Sequence, residues 1–318
     1  MPSIQPAPKD AEPDMDQRDV NHPDLASLVT ERHRTDLADL DLRSTADLVT
    51  LMADDQALAV AAVNANGDRI AAAIDAIVER LRRGGRLIYT GAGTAGRMGV
   101  LDAAECPPTF NTDRVVGVMA GSAAALERSR EAAEDDAAAG AADLAALAVT
   151  GDDAVVGIAA SGRTPYTIGA VRHAASVGAV TVGISSNPTA ELSGVVDHPI
   201  ELVSGPEVIT GSTRLKAGTA QKVVLNIIST VAMVRLGKTF GNLMVDMRAT
   251  NVKLRDRARR IVVTATGASP ESAATALDAS GGDVKAAIVS LLAGVDADTA
   301  IDLLGAADGD VRAALGQR

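Results

Sequence analysis

Between Gly91 and Pro108 the chain reads GAGTAGRMGVLDAAECPP, residue types that suit an anion site with an acid beside it. Gly91, Gly93 and Gly96 follow the apolar run Leu87-Ile88-Tyr89 at G-x-G-x-x-G spacing. That pattern predicts a strand, a tight turn and a helix whose free N–H groups face the turn. A second turn, AASGRTPY over 159–166, also follows an apolar run and offers the Ser161 and Thr164 hydroxyls, Gly162 and the cation Arg163. A third, SSNP over 185–188, offers Ser185 and Ser186. Hydroxyls and helix N–H groups together suit a phosphate monoester on a small polar ligand, although any one of these loops alone reads as an ordinary helix cap. Glu105 falls late in the first predicted helix, before Pro107-Pro108, which are expected to end it. By residue type alone Glu105 is a solvated helix end. Glu134 lies in SREAAEDD with Glu131, Asp135 and Asp136, a run that reads as an acidic helix face with Glu131 one turn before Glu134. Two carboxyl groups can divide acid and base work without a metal if their surroundings push their pKa values apart.

The elements needed to position these residues are legible as apolar runs alternating with helical stretches. RLIYT (86–90), VVGVM (115–119), AVVGIAA (154–160), AVTVGI (179–184) and HPIELV (198–203) predict strands. Strands alternating with helices imply an α/β fold with a doubly wound parallel sheet covered on both faces. Open sheets of this kind bind ligands at the carboxyl ends of their strands, where all three turns would lie. A dinucleotide is disfavoured, because VVGVM ends in Ala120-Gly121-Ser122 with no acid to hold a ribose. Residues 25–83 carry helical periodicity, with Ser44 or Thr45 as a cap. Residues 212–236 predict one long apolar helix whose need for cover implies a homodimer with shared sites. Residues 1–24, rich in Pro and Asp, predict a disordered tail. After residue 260 the texture becomes short alanine-rich helices, and GDVKAAI (282–288) recurs as GDVRAAL (309–315), each an aspartate-capped helix. A main domain over 25–260 and a small helical, UBA-like domain over 261–318 are expected.

Composition narrows the partners. The 318 residues carry a net charge of −11, which argues against nucleic acid and anionic membranes. Hydrophobic residues make up 47% and aromatic ones only 1%, so the core must be Ala, Val, Leu and Ile. A single cysteine, Cys106, excludes a disulfide framework and reads as a small buried thiol. The four histidines (22, 33, 173, 198) show no metal-ligand spacing, and neither metal nor cofactor is expected. No apolar run of about 18 residues is apparent, and the N-terminus has no apolar h-region. A cytoplasmic protein fits.

The SGRT loop and EVITGSTRLKAGTAQK (207–222) resemble the sugar isomerase (SIS) pattern. Within that superfamily, GAGTAGRMGVLDAAECPPTF, VVGIAASGRTPY, GSTRLKAGTAQKVVLN and GKTFGNLMVDMRATNVKL, in that order, resemble the N-acetylmuramic acid 6-phosphate etherases. The resemblance covers residue 25 to the C-terminus. It implies a lyase that removes D-lactate from C3 of a phosphorylated amino sugar, by elimination and then addition of water, in cell-wall amino-sugar recycling. It implies Glu105 as the proton donor to lactate and Glu134 as the base. It also implies a substrate-binding set of Gly93, Thr94, Ser161, Gly162, Arg163, Thr164, Ser185, Ser186, Glu207, Ser212 and Lys216. An SIS-type sugar-phosphate isomerase would have no use for an acid at C3, and a non-enzymatic sugar-phosphate sensor would need neither carboxylate. Near the N-terminus, TERHR stands where the family often has a T-E-x-R-N-like stretch.

Overall fold

The computed structural model describes residues 27–122, 124–127, 131–247 and 252–317. The expected tail over 1–24 lies outside them. Five parallel strands, β1 (Leu87–Gly91), β2 (Val115–Met119), β3 (Ala154–Ile158), β4 (Val180–Ser185) and β5 (His198–Glu201), form one sheet in the order β2-β1-β3-β4-β5. Each coincides with an apolar run read from the sequence. The period-two alternation sorts their side chains between two layers. Leu87, Tyr89, Val156 and Ile158 join one core with the helices α1 (Thr45–Asn64), α2 (Gly67–Arg82), α3 (Gly93–Phe110) and α7 (Lys216–Arg235). Ile88 and Val155 join a second with α5 (Ala137–Ala146) and α6 (Pro165–Ser176) on the opposite face. A short helix, α4 (Ala124–Glu127), lies between β2 and α5.

The region before α1 is less regular than its periodicity suggests, with 3-10 turns at Val29–Glu31, Thr35–Leu37 and Leu40–Leu42. Ser44 caps α1 by accepting from the Asp47 amide. The long apolar helix α7 finds most of its cover within the chain, against α1, α2 and α3. By length and composition it would also suit a bilayer span, against the expectation of no such run, but 56% of it is buried as a core helix.

Pro107 and Pro108 do not end α3. The helix runs through them to Phe110 and stops at Asn111, whose φ of 48° is left-handed. The fixed φ of proline is compatible with helix, so the missing donors loosen the last turn without breaking it. The acidic run departs from expectation as well. Glu131–Ala133 is a 3-10 turn, Glu134 lies in the turn that follows it, and Asp136 caps α5 by accepting from the Ala139 amide. These acids therefore do not share one helix face.

Beyond α7, a further core gathers Val245, Met247, Ala258, Ile261, Val262, Ile288 and Val311. Its helices are α8 (Val252–Thr266), α9 (Pro270–Ala279), α10 (Val284–Ala293), α11 (Ala297–Ala306) and α12 (Val311–Ala314). The repeated GDV segments behave as read, with Asp283 and Asp310 capping α10 and α12. Lys285 ties this layer to the segment that follows α7, donating to Asp246 at 2.7 Å, and to the Gly309 carbonyl at 2.8 Å.

Candidate active site

In this strand order β1 connects outward to β2, and the chain then returns to place β3 on the other side of β1. The loops leaving β1 and β3 therefore diverge at their carboxyl ends and leave a crevice, the usual ligand position in open α/β sheets. A cavity of about 420 Å³ lies there. Gly93, Thr94 and Arg97 from the β1 side line it, with Ser161 and Thr164 from the β3 side, Glu134, and Gly211, Thr213 and Gln221 from the approach to α7 and its first turns.

The glycines of the first loop have separate duties. A Cβ on Gly96 would sit 2.6 Å from the Gly91 carbonyl oxygen and 2.8 Å from Met119 Cβ, so Gly96 lets α3 lie directly on the sheet. Gly93, at φ +53°, would meet nothing within 4 Å, so it supplies the turn. Thr164 occupies the N-cap position of α6 but makes no side-chain cap bond, and its hydroxyl is among the groups lining the cavity. Arg97 is the cation among the lining residues and is oriented by the carbonyls of Ala125 at 2.7 Å and Leu126 at 3.3 Å. Gln221 is 1% exposed and its Nε2 has no partner among the described residues, leaving a buried donor unspent beside the cavity.

Of the residues expected to bind substrate, Gly93, Thr94, Ser161 and Thr164 line this cavity, and Glu134 joins them. The others stand outside that lining. Gly162, at φ +69°, would carry a Cβ 2.4 Å from that of Ala190, so its place is a tight turn packed on 190. Arg163 follows it, half-buried, its amide donating to Ser161 Oγ. Ser185 and Ser186 are buried, and Ser185 donates to the Asn187 carbonyl. The SSNP turn acts through Asn187, whose amide donates to Thr30 Oγ1 and to the carbonyl of Ala160, while its oxygen accepts from the Thr30 N–H. Glu207 clamps the first turn of α7, accepting from the amides of Lys216 at 3.2 Å and Ala217 at 2.9 Å. Burial raises the Glu207 pKa despite those donors. Lys216 is turned inward, its Nζ on Asp55 at 3.0 Å and on the Pro206 carbonyl at 2.7 Å. Ser212 gives way to its neighbour Thr213 as the lining residue.

Glu105 also stands apart. It is exposed on α3, about 18 Å along the helix axis from Gly93. It borders a cavity of about 500 Å³ with Pro107, Thr109, Met244 and Arg257, and a groove between α3 and α7 with Met98, Leu101, Lys222 and Asn226. Beneath it, Asp102 is buried and accepts from Tyr89 Oη at 2.9 Å and Asn226 Nδ2 at 2.6 Å. Cys106 is buried, its thiol pushed up to about 12 by desolvation.

Glu31, Arg97, Thr213 and Gln221 were not singled out as site residues by the sequence reading. Glu31 had a signal in TERHR, and Gln221 in the T.Q positions of the 207–222 stretch.

A cavity of about 420 Å³ over the β1/β3 switch point of a parallel sheet, lined by hydroxyls, the Glu31 and Glu134 carboxylates and Arg97, fits an SIS-type domain. The family described as the glucokinase regulatory protein N-terminal SIS domain matches residues 69–175. The N-acetylmuramic acid 6-phosphate etherase of Rubrobacter xylanophilus is 65% identical over 84% of this chain and 90% of its own length. That of Streptomyces avermitilis is 58% identical over 85% and 87%. Among solved structures, a putative phosphosugar isomerase from Bacteroides fragilis is 22% identical with a TM-score of 0.47, covering 60% of this chain and 91% of that one. The chain belongs to the N-acetylmuramic acid 6-phosphate etherase family.

Proposed function

We propose that this protein cleaves the D-lactyl ether of N-acetylmuramic acid 6-phosphate, giving N-acetylglucosamine 6-phosphate and D-lactate. The observation that carries the reading is the cavity at the β1/β3 switch point, where phosphate-binding groups and the Glu134 carboxylate line one space. Thr94, Ser161, Thr164 and the N–H groups opening α3 and α6 hold the phosphate, with Arg97 supplying positive charge. The open-chain sugar carries a C1 aldehyde that acidifies the C2 proton. Glu134 takes that proton, Glu105 protonates the departing lactate oxygen, and a C2–C3 double bond forms. Water then adds at C3. Separate carboxyl groups serve as acid and base, as the chemistry requires.

Glu105 stands about 18 Å along α3 from Gly93, so in this reading the acid comes to the β1/β3 cavity from a second subunit. We propose a homodimer in which the α3/α7 face of one copy delivers Glu105 to the partner's cavity. Leu101, 48% exposed, stands in the same groove as Glu105 and supports an interface there. The small helical domain over 261–318, appended to the sugar-phosphate domain over 25–260, and a cytoplasmic setting for cell-wall sugar recycling belong to the same proposal. Incubation with N-acetylmuramic acid 6-phosphate and assay for free D-lactate tests the reaction. Lactate is expected with the phosphorylated sugar, and its absence refutes the activity.

A further inference from the structure

We propose that Glu31 is a specificity-determining residue of this cavity, accepting hydrogen bonds from a hydroxyl or the amide N–H of the sugar. This rests on the sugar-phosphate reading of the cavity and adds a residue to it. Glu31 lines the same space as Thr94, Ser161, Thr164 and Glu134. It closes the 3-10 turn Val29–Glu31, and the residue before it, Thr30, is buried and held twice by Asn187. Asn187 also donates to the carbonyls of Ala160 and Ser161, so the backbone that carries Glu31 is fastened to the phosphate loop itself. Across the cavity mouth, Gly211 leaves room for the carboxylate. A Cβ there would lie 3.1 Å from Glu31 Oε2, at a φ of +75° that also favours glycine.

Electrostatics argues that this placement has a use. A carboxylate beside a phosphate site repels the anion that the site must hold. Its oxygens have no hydrogen-bond or ion-pair partner among the described residues, whereas Arg34 two positions on is taken by Asp36 and Asp55. An acceptor with nothing to accept from is matched by Gln221, whose buried Nε2 lacks a partner in the same lining. A ligand with both donors and acceptors beyond its phosphate, such as an N-acetylated amino sugar, satisfies both. Inorganic phosphate brings no sugar hydroxyl or amide N–H to Glu31, so from that carboxylate it feels mainly the repulsion.

Calorimetry on the full-length chain separates these contributions, with N-acetylglucosamine 6-phosphate and inorganic phosphate as probes. Glu31→Gln is expected to weaken the sugar phosphate about ten- to a hundredfold, the loss of one charge-assisted hydrogen bond. It is expected to leave inorganic phosphate unchanged or tighter, because a negative charge has gone. Glu31→Asp, which keeps the charge, should leave inorganic phosphate unchanged while weakening the sugar phosphate by a smaller factor. Equal losses for both probes, or no loss for the sugar phosphate, would overturn the assignment. Ser161→Ala serves as the reference for the phosphate site and should weaken both probes. If the wild-type chain binds neither, the cavity reading itself fails and the role of Glu31 falls with it.

Discussion

At its N-terminal end α3 presents Gly93, Thr94 and Arg97 to the cavity over β1 and β3, and at its C-terminal end it presents Glu105 to a different one. The first end is closely seated. Gly96 meets Gly91 and Met119, and a Cβ on Gly99 would stand 2.8 Å from that of Tyr89. The second end is held by Asp102, which joins Tyr89 on the sheet to Asn226 on α7. A helix fixed to the sheet along its length cannot bend Glu105 round to its own cavity. In the proposed dimer this one rigid element carries parts of two half-sites, and each complete site combines the first end from one subunit with the second end from its partner.

The largest effect should come from the cavity carboxylate. Glu134→Gln is expected to lower both lactate release and deuterium exchange at C2 by about 10²–10⁴, the range for general acid–base catalysis. Glu105→Gln should slow lactate release to a similar extent yet still wash deuterium into C2 in heavy water, because the base remains. NMR in deuterated buffer distinguishes the two. Exchange lost in Glu105→Gln and kept in Glu134→Gln would reverse the roles.

Lys216 sharpens the contrast between binding and support. The ammonium lies inside the fold on Asp55, so Lys216→Ala leaves that buried carboxylate with Arg34 as its remaining cation and should cost stability, though less than the about 3–5 kcal/mol of a wholly uncompensated buried charge. Denaturant midpoints measure this. A stable variant with a raised KM would instead return Lys216 to the substrate.

Smaller still, Ser161→Ala and Thr164→Ala should each weaken substrate binding by about 1.5–3 kcal/mol with less effect on turnover. The comparison is KM against kcat for each variant, alongside the non-phosphorylated sugar as substrate. Equal reactivity of the two sugars would remove the phosphate site.

Much of this arrangement was legible in the sequence, and where it was not the reasons are physical. The strands could be read because both faces of β1 and β3 are buried, which demands unbroken apolar runs. The first two cavity-lining loops could be read because their glycines and hydroxyls are local to a strand–helix turn. The role of Ser185 and Ser186 could not be read, because a hydroxyl-rich turn after a strand looks alike whether it faces a ligand or lies buried, as here, while Asn187 pins the N-terminal segment to the SGRT loop. Glu207 and Lys216 belong to a motif whose chemistry suits a ligand equally well, and only the tertiary contacts of Asp55 and the first turn of α7 reveal their partners. Glu31 was hidden because it reaches the cavity from a segment far from it in sequence. The placement of Glu105 away from the β1/β3 cavity follows from the roughly 18 Å of helix between it and Gly93, whereas Pro107-Pro108 obscured only where α3 stops.

Subunit complementation tests the shared site most directly. Glu105→Gln and Glu134→Gln chains, each nearly inactive alone, are unfolded together, refolded at equal concentrations and assayed for D-lactate. In a two-fold dimer, about half of the molecules would be mixed, and one of the two sites in each would hold an intact Glu105 and an intact Glu134. The account predicts recovery of about a quarter of wild-type activity. A mixture that contains the mixed dimer yet stays as inactive as its parents would contradict a site built across two subunits.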